Sequence, residues 1–186
     1  VYKRQGAVMV SRANAHVKYP CRFMLVAAAN PCKCGYMAEA DRACARVPLC
    51  GEEYLGRISG PLLDRFDLRV DVPPVSYTDL DLPAAGESSS VVAERVAAAQ
   101  AIQNTRYQED PETRCNGDAS GAALEAFSTP DRDGRDLLMR AAEKFRLSAR
   151  GYHRVMRVAR TIADLDDAED VRKPHVAEAI SFRVSS

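Results

Sequence analysis

Apolar positions along this chain follow two rhythms, and the change from one to the other divides it. The first part carries short β-prone runs. Val8-Met-Val10 and His16-Val-Lys-Tyr19 flank the polar Ser11-Arg-Ala-Asn14 and predict a hairpin. Phe23-Met-Leu-Val-Ala-Ala-Ala29 shows no polar alternation, which suits a strand buried on both faces of a parallel sheet. Leu68-Arg-Val-Asp-Val72 predicts the next strand, closed by Pro73-Pro74, which cannot continue a central ladder. An α/β part is thus expected over residues 6–74.

Beyond it the pattern turns helical. Pro83 to Ser90 is rich in Pro, Gly, Ala and Ser and predicts a linker over 75–90, leading into a helical domain over 91–186. A helix is expected from Val91 to Gln108 with Ser90 as its cap, and a short one over Leu124 to Phe127. Others are expected over Asp131 to Phe145 and, behind Ser148, over Ala149 to Leu165. The last runs from Pro174 to Phe182, with Pro in its first turn, where the missing donor costs nothing. Tyr152, Val155, Met156, Ala159, Ile162 and Ala163 recur at helical spacing and mark a core face. No internal repeat is visible.

Composition narrows the class without naming a partner. With 186 residues, 46% hydrophobic and 28% charged, the chain can bury one ordinary core or two small ones. Its 26 Lys plus Arg balance 26 Asp plus Glu, so any contact with nucleic acid must come from a local patch. No apolar run approaches the roughly 20 residues that cross a bilayer, and the start lacks a signal-peptide layout, so a cytoplasmic location is expected. Val1-Tyr-Lys-Arg-Gln5, with no initiator Met, reads as a non-native junction or a truncation edge.

Two features carry chemistry. Cys32, Cys34, Cys44 and Cys50 lie in one short segment, an insertion over 31–51, in the pattern C-x-C-x9-C-x5-C. Four thiolates match a tetrahedral structural zinc site, which leaves no open position for water. The other reading is buried or incidental thiols, but a loop containing Lys33, Glu39, Asp41, Arg42 and Arg46 offers little core to bury four of them. Cys21 and Cys115 fall outside the cluster. The second feature is an apolar strand ending in Asn30-Pro31 followed by Ile58-Ser-Gly-Pro-Leu-Leu-Asp-Arg-Phe-Asp67. A polar amide at a strand end and an arginine projected from a turn are tools for sensing phosphate. The chain has no Gly-rich Lys-Ser/Thr phosphate loop and no acidic strand end for magnesium, so it is not expected to hydrolyse ATP alone. His153 and His175 have no partners at ligand spacing and read as surface or capping residues.

Ala28-Ala-Asn-Pro-Cys-Lys-Cys-Gly35, Arg57-Ile-Ser-Gly-Pro-Leu-Leu-Asp-Arg65, and Leu147-Ser-Ala-Arg150 with Ala159-Arg-Thr-Ile-Ala-Asp-Leu165 resemble the YifB/ComM group of magnesium-chelatase-like AAA+ ATPases. The resemblance covers residues 6 to about 183. It implies the C-terminal part of an AAA+ P-loop NTPase core, with a hairpin before the first sensor and the last parallel strands, followed by a helical lid.

The same resemblance assigns roles. Asn30 falls at the sensor that orients the attacking water, although Asn before Pro also opens turns. Arg65 is similar to the finger inserted into a neighbouring subunit's site, its alternative being a structural pair with Asp64 or Asp67. Arg150 resembles the second sensor, leaving the arginines at 154, 157 and 160 as solvated charges or acid partners. Arg12, with His16 and Lys18 behind it, matches the basic tip of a pore hairpin, whose contacts would go to DNA phosphates regardless of sequence. The family implies a homo-oligomeric ring, a hexamer, using ATP and Mg2+ to move DNA, its ComM branch serving branch migration in natural transformation. A magnesium chelatase-type ring acting on a protein partner is the alternative, and a zinc-stabilised nucleic-acid-binding module without an enzymatic cycle is a third.

Overall fold

Two chain segments with β-branched and long apolar residues around a polar turn do close into a hairpin. The computed structural model describes residues 7–12, 15–21, 23–37, 41–75 and 86–183. In it β1 (Ala7–Arg12) pairs antiparallel with β2 (Ala15–Pro20), from Ala7 opposite Pro20 to Arg12 opposite Ala15. The expected junction over residues 1–5, the loop positions Ala13 and Asn14, and most of the expected linker, residues 76–85, lie outside the described residues.

The chain divides into two units, one up to Leu55 and the other from Gly56 on. The first holds the hairpin, the cysteine-rich loop and α1 (Leu49–Leu55). The second holds α2 (Gly60–Leu63) together with all the later helices, so the segment carrying Arg65 belongs with the helical part.

The two strands expected at Phe23–Ala29 and Leu68–Val72 are not formed among the described residues. Phe23, Met24, Leu25 and Val26 are instead 59–88% exposed. A strand of a parallel sheet exists through ladder bonds to neighbours on both sides. The strands described here are the two of the hairpin, already paired with each other. Leu68–Val72 is extended and finds a different anchor: the backbone N–H of Arg69 donates to the Phe182 carbonyl at 2.9 Å.

Helical spacing was the better guide. The later helices are α3 (Ser89–Arg106), α4 (Gly121–Ser128), α5 (Arg132–Lys144), α6 (Ala149–Leu165) and α7 (Lys173–Ser181). Ser148 caps α6 as expected, its Oγ accepting from the Gly151 N–H at 3.0 Å. At α3 the cap is Ser88, which accepts from the Val91 N–H at 3.4 Å, in place of the expected Ser90. Asp131 caps α5, accepting from Gly134 N–H at 2.7 Å. Helix α6 lies at the centre, packed against α3, α4 and α7, while α5 packs on α7. Its face of Val155, Met156, Ala159, Ile162 and Ala163 is buried with Leu138 of α5, Val176 of α7 and Leu124 of α4. Burying side chains of this size stabilises by roughly 1.5–3 kcal/mol each for the larger ones, so this cluster carries the helical unit.

Candidate functional site

A proline in its first turn starts the short helix α2, and successive N–H groups bond back along it, from Leu62 to the Ser59 carbonyl at 2.8 Å and from Arg65 to the Leu62 carbonyl at 2.9 Å. Arg65 therefore stands at the end of a tight turn, between Asp64 and Asp67. Neither acid pairs with it. Asp64 is engaged by Arg183 and accepts from Ser148 Oγ at 3.0 Å. Asp67 is engaged by Arg154, whose Nη1 also donates to the Arg65 carbonyl at 2.5 Å. Arg183 Nη1 adds a bond to the Phe66 carbonyl at 2.8 Å. Burial pushes the Arg183 guanidinium below its usual range, and the charge of Asp64 opposes that shift. Gly151 leaves room for this arrangement, since a Cβ there would come within 3.2 Å of Arg183 Nη2. The result is a backbone held from both sides and an exposed Arg65 side chain with no partner among the described residues.

Helix α6 sorts its own arginines. Arg154 serves the turn just described, Arg157 Nε donates to the Ala119 carbonyl at 2.7 Å, and Arg160 is buried. Arg150, in the first turn, is exposed and has no partner among the described residues. A cation gains nothing from the positive end of its own helix, so the place of Arg150 in the first turn adds no stability to α6.

Sequence reasoning missed the ionic centre of this unit. Asp164 is fully buried and receives Arg106 through Nη1 at 2.8 Å and Nη2 at 2.6 Å, and Arg160 Nε at 3.0 Å. Asn116 Nδ2 completes it at 2.7 Å, while Arg160 gives its remaining donors to the Ala168 and Glu169 carbonyls at 2.6 and 2.7 Å. Hydrogen bonding to Asp164 holds the Arg106 guanidinium up, whereas burial pushes that of Arg160 down. The signal was present: Arg160 and Asp164, four apart, fall beside the apolar positions Ala159 and Ala163, where a charge must find a partner or be excluded.

In the first unit, Asn30 is exposed and immediately precedes the cysteine loop. The sulfurs of Cys32, Cys34 and Cys50 all lie within 4.8 Å of one another, with Cys32 and Cys34 at 3.1 Å. Cys44 falls outside that trio, yet its thiol interacts with both Cys34 and Cys50. Hydrogen bonding with Cys32 brings the Cys34 thiol down to about 6, and hydrogen bonding with Cys44, reinforced by burial, pushes Cys50 up to about 12. Cys32 and Cys50 are buried despite the polar loop around them. The loop closes tightly on α1, because a Cβ at Gly51 would sit 2.5 Å from Met37 Sδ and 3.3 Å from the Pro31 carbonyl.

The hairpin separates the three basic candidates. Antiparallel partners share a face, so His16 (opposite Ser11) and Lys18 (opposite Met9) lie together, while Arg12 falls on the other face with Val10 and Val17. His16 Nδ1 and Ser11 Oγ are 2.8 Å apart. Of the other histidines, His153 is exposed as expected, whereas His175 is buried and acts as a cap, its Nδ1 accepting from the Arg172 N–H at 3.0 Å. Among the described residues no helix is long and apolar enough to cross a membrane.

Comparison with known proteins matches these parts to a family. The family model described as magnesium chelatase, subunit ChlI C-terminal, matches residues 86–183, and that described as magnesium chelatase, subunit ChlI, matches residues 4–80. The competence protein ComM of Haemophilus influenzae is 36% identical over 179 residues, which is 96% of this chain and 34% of that protein. YifB of Escherichia coli is 35% identical over 181 residues, covering 96% of this chain and 34% of its own length. Rv2897c of Mycobacterium tuberculosis is 38% identical over 178 residues, 96% of this chain and 35% of that protein. The chain thus spans about a third of the length of the curated relatives it matches. Residues 86–183, within the helical unit, match the model of the C-terminal domain, and the chain belongs to the magnesium-chelatase-like YifB/ComM family of AAA+ ATPases.

Proposed function

We propose that this chain supplies the sensing elements of a ring-forming, hexameric ATPase that remodels DNA, driving branch migration of recombination intermediates. The observation that carries the reading is Arg65: exposed, set on a backbone pinned by Arg154 and Arg183, and deprived of both neighbouring acids by those same residues. A planar guanidinium with five donors matches the oxygens of a phosphoryl group, and one with no acid partner among the described residues is available to a site on a neighbouring copy. Arg150 is available in the same sense, as a second sensor in the lid. Asn30 offers a neutral amide that can orient water without repelling phosphate. ATP with Mg2+ would supply the phosphoryl chemistry. Turnover by an Arg65→Ala protein is the test of this assignment.

The DNA part rests on the family and on the hairpin, and the relative named as a competence protein supports a role in natural transformation. With Arg12 at the end of β1 beside the turn, on the face opposite His16 and Lys18, it is the residue expected to lead the phosphate contact. Arg12→Ala should weaken binding to duplexes of unrelated sequence alike and reduce the slope of log affinity against log salt by about one. An unchanged slope would remove Arg12 from the DNA contact.

The cysteine cluster fits a structural zinc. At Zn–S distances of about 2.3 Å, tetrahedral thiolates lie about 3.8 Å apart, within the spread of the Cys32, Cys34 and Cys50 sulfurs. Cys44, in contact with two of them, would complete the set and close the site to water. Elemental analysis of the purified protein should find about one zinc per chain, falling sharply in Cys50→Ser. Zinc-free protein with the loop still folded would return the four residues to buried thiols.

A further inference from the structure

We infer that Arg154 is a positioning residue for Arg65, linking the helix that carries Arg150 to the backbone that presents the finger. The inference rests on the finger reading above and goes beyond it, because it names how the two arginines are tied together. Arg154 lies four residues beyond Arg150 on α6, so the two side chains are neighbours on one helix surface.

What Arg154 bonds to is informative. Among the described residues its hydrogen bonds go to the Arg65 carbonyl, at 2.5 Å, and to Asp67, both in the finger turn. None goes to the core of the helical unit. Its side chain is 14% exposed while Asp67 is 59% exposed, so a largely covered guanidinium is spent on a partner that water could have satisfied. Its Nε is buried with no partner among the described residues. The Nε of Arg183, on the other side of the turn, is left the same way, so what sets Arg154 apart is the partner it reaches, the Arg65 carbonyl.

Arg183 and Ser148 hold the other side of the turn. Arg183 reaches Asp64 and the Phe66 carbonyl, and Ser148, the cap of α6, donates to Asp64. These contacts fix the turn to the start of α6 and the end of α7. Among the described residues Arg154 is the side chain that bonds the peptide carbonyl of Arg65 itself, so, together with Ser148 at the start of α6, it ties the direction of the finger to the helix that carries Arg150.

The experiment uses the assembled full-length ATPase. Arg154→Gln is expected to lower kcat by about 10- to 100-fold, the cost of a displacement on the order of 1 Å, with KM for ATP within about twofold and ring assembly unchanged. Arg154→Lys, which keeps a donor and the charge, should recover part of the loss. In an Arg65→Lys background, already slowed, Arg154→Gln should cost little more, since both changes act on one group. An unchanged kcat in Arg154→Gln, or the same fold loss in the Arg65→Lys background, would overturn the positioning role. Loss of assembly or a melting transition lowered in step with kcat would make Arg154 a structural residue and overturn it equally. Full turnover in Arg65→Ala would instead fell the finger reading, a result that no Arg154 variant can mimic.

Discussion

Replacing Arg65 with alanine in the complete ATPase should reduce turnover by about 10³- to 10⁵-fold while nucleotide binding stays close to that of the unaltered protein. The expectation follows from where the charge sits. An arginine beside two aspartates would ordinarily be read as their partner, and its loss would then show as a change in stability. Here Asp64 and Asp67 are held by Arg183 and Arg154, so removing the Arg65 side chain breaks no ion pair among the described residues. Its exposed position makes the cost to folding small, within about 0.5 kcal/mol. A large loss of turnover in a protein of unaltered stability would locate the effect in the transition state. Arg57→Ala, at an exposed arginine on the same segment, serves as the control for general loss of positive charge and should leave turnover near normal. Substantial turnover in Arg65→Ala would mean that the free guanidinium has another use. Equal losses in both variants would mean that surface charge, not position, was responsible.

How far the sequence could be read depended on where each element's bonds are made. Helix α6 was predicted from Ala149 to Leu165 with Ser148 as cap, and it forms there, because helical bonds and caps are closed within a few residues. The same locality explains why α3 and α5 were placed within two residues of their ends. Phe23–Ala29 had an equally clear apolar pattern but forms no strand among the described residues, since a strand's bonds belong to partners that its own pattern does not specify. Cysteine spacing suggests a set of four, and the structure gathers the sulfurs of Cys32, Cys34 and Cys50 closely, with Cys44 joining through Cys34 and Cys50. At the finger the sequence offered Asp64 and Asp67 as partners for Arg65. The actual partner of Asp64, Arg183, lies 119 residues away, a separation over which no periodicity argument reaches.

Asp164→Asn should lower the stability of the helical unit by about 3–5 kcal/mol, because it leaves two guanidiniums in the interior with no counter-charge. Removing one partner of a buried ion pair costs far more than the pair contributes, since the remaining charge was desolvated in expectation of it. In this network the imbalance is already present: Arg106 and Arg160 face one carboxylate, and neutral acceptors from Asn116 and the Ala168 and Glu169 carbonyls absorb the rest. Neutralising Asp164 turns that shared arrangement into like-charge repulsion between side chains 12% and 3% exposed. It also turns an amide donor toward Asn116 Nδ2 or a guanidinium, neither of which can accept. For a unit of this size the melting temperature should fall by about 10 °C or more. Asp136→Asn, on the exposed face of α5, should shift it hardly at all. A double change of Asp164→Asn with Arg160→Gln should recover part of the loss, since it removes one stranded charge along with its partner. If chemical denaturation found Asp164→Asn as stable as the unaltered chain, water must reach Arg106 and Arg160, and α6 could not be packed against α3 and the 168–171 segment as described.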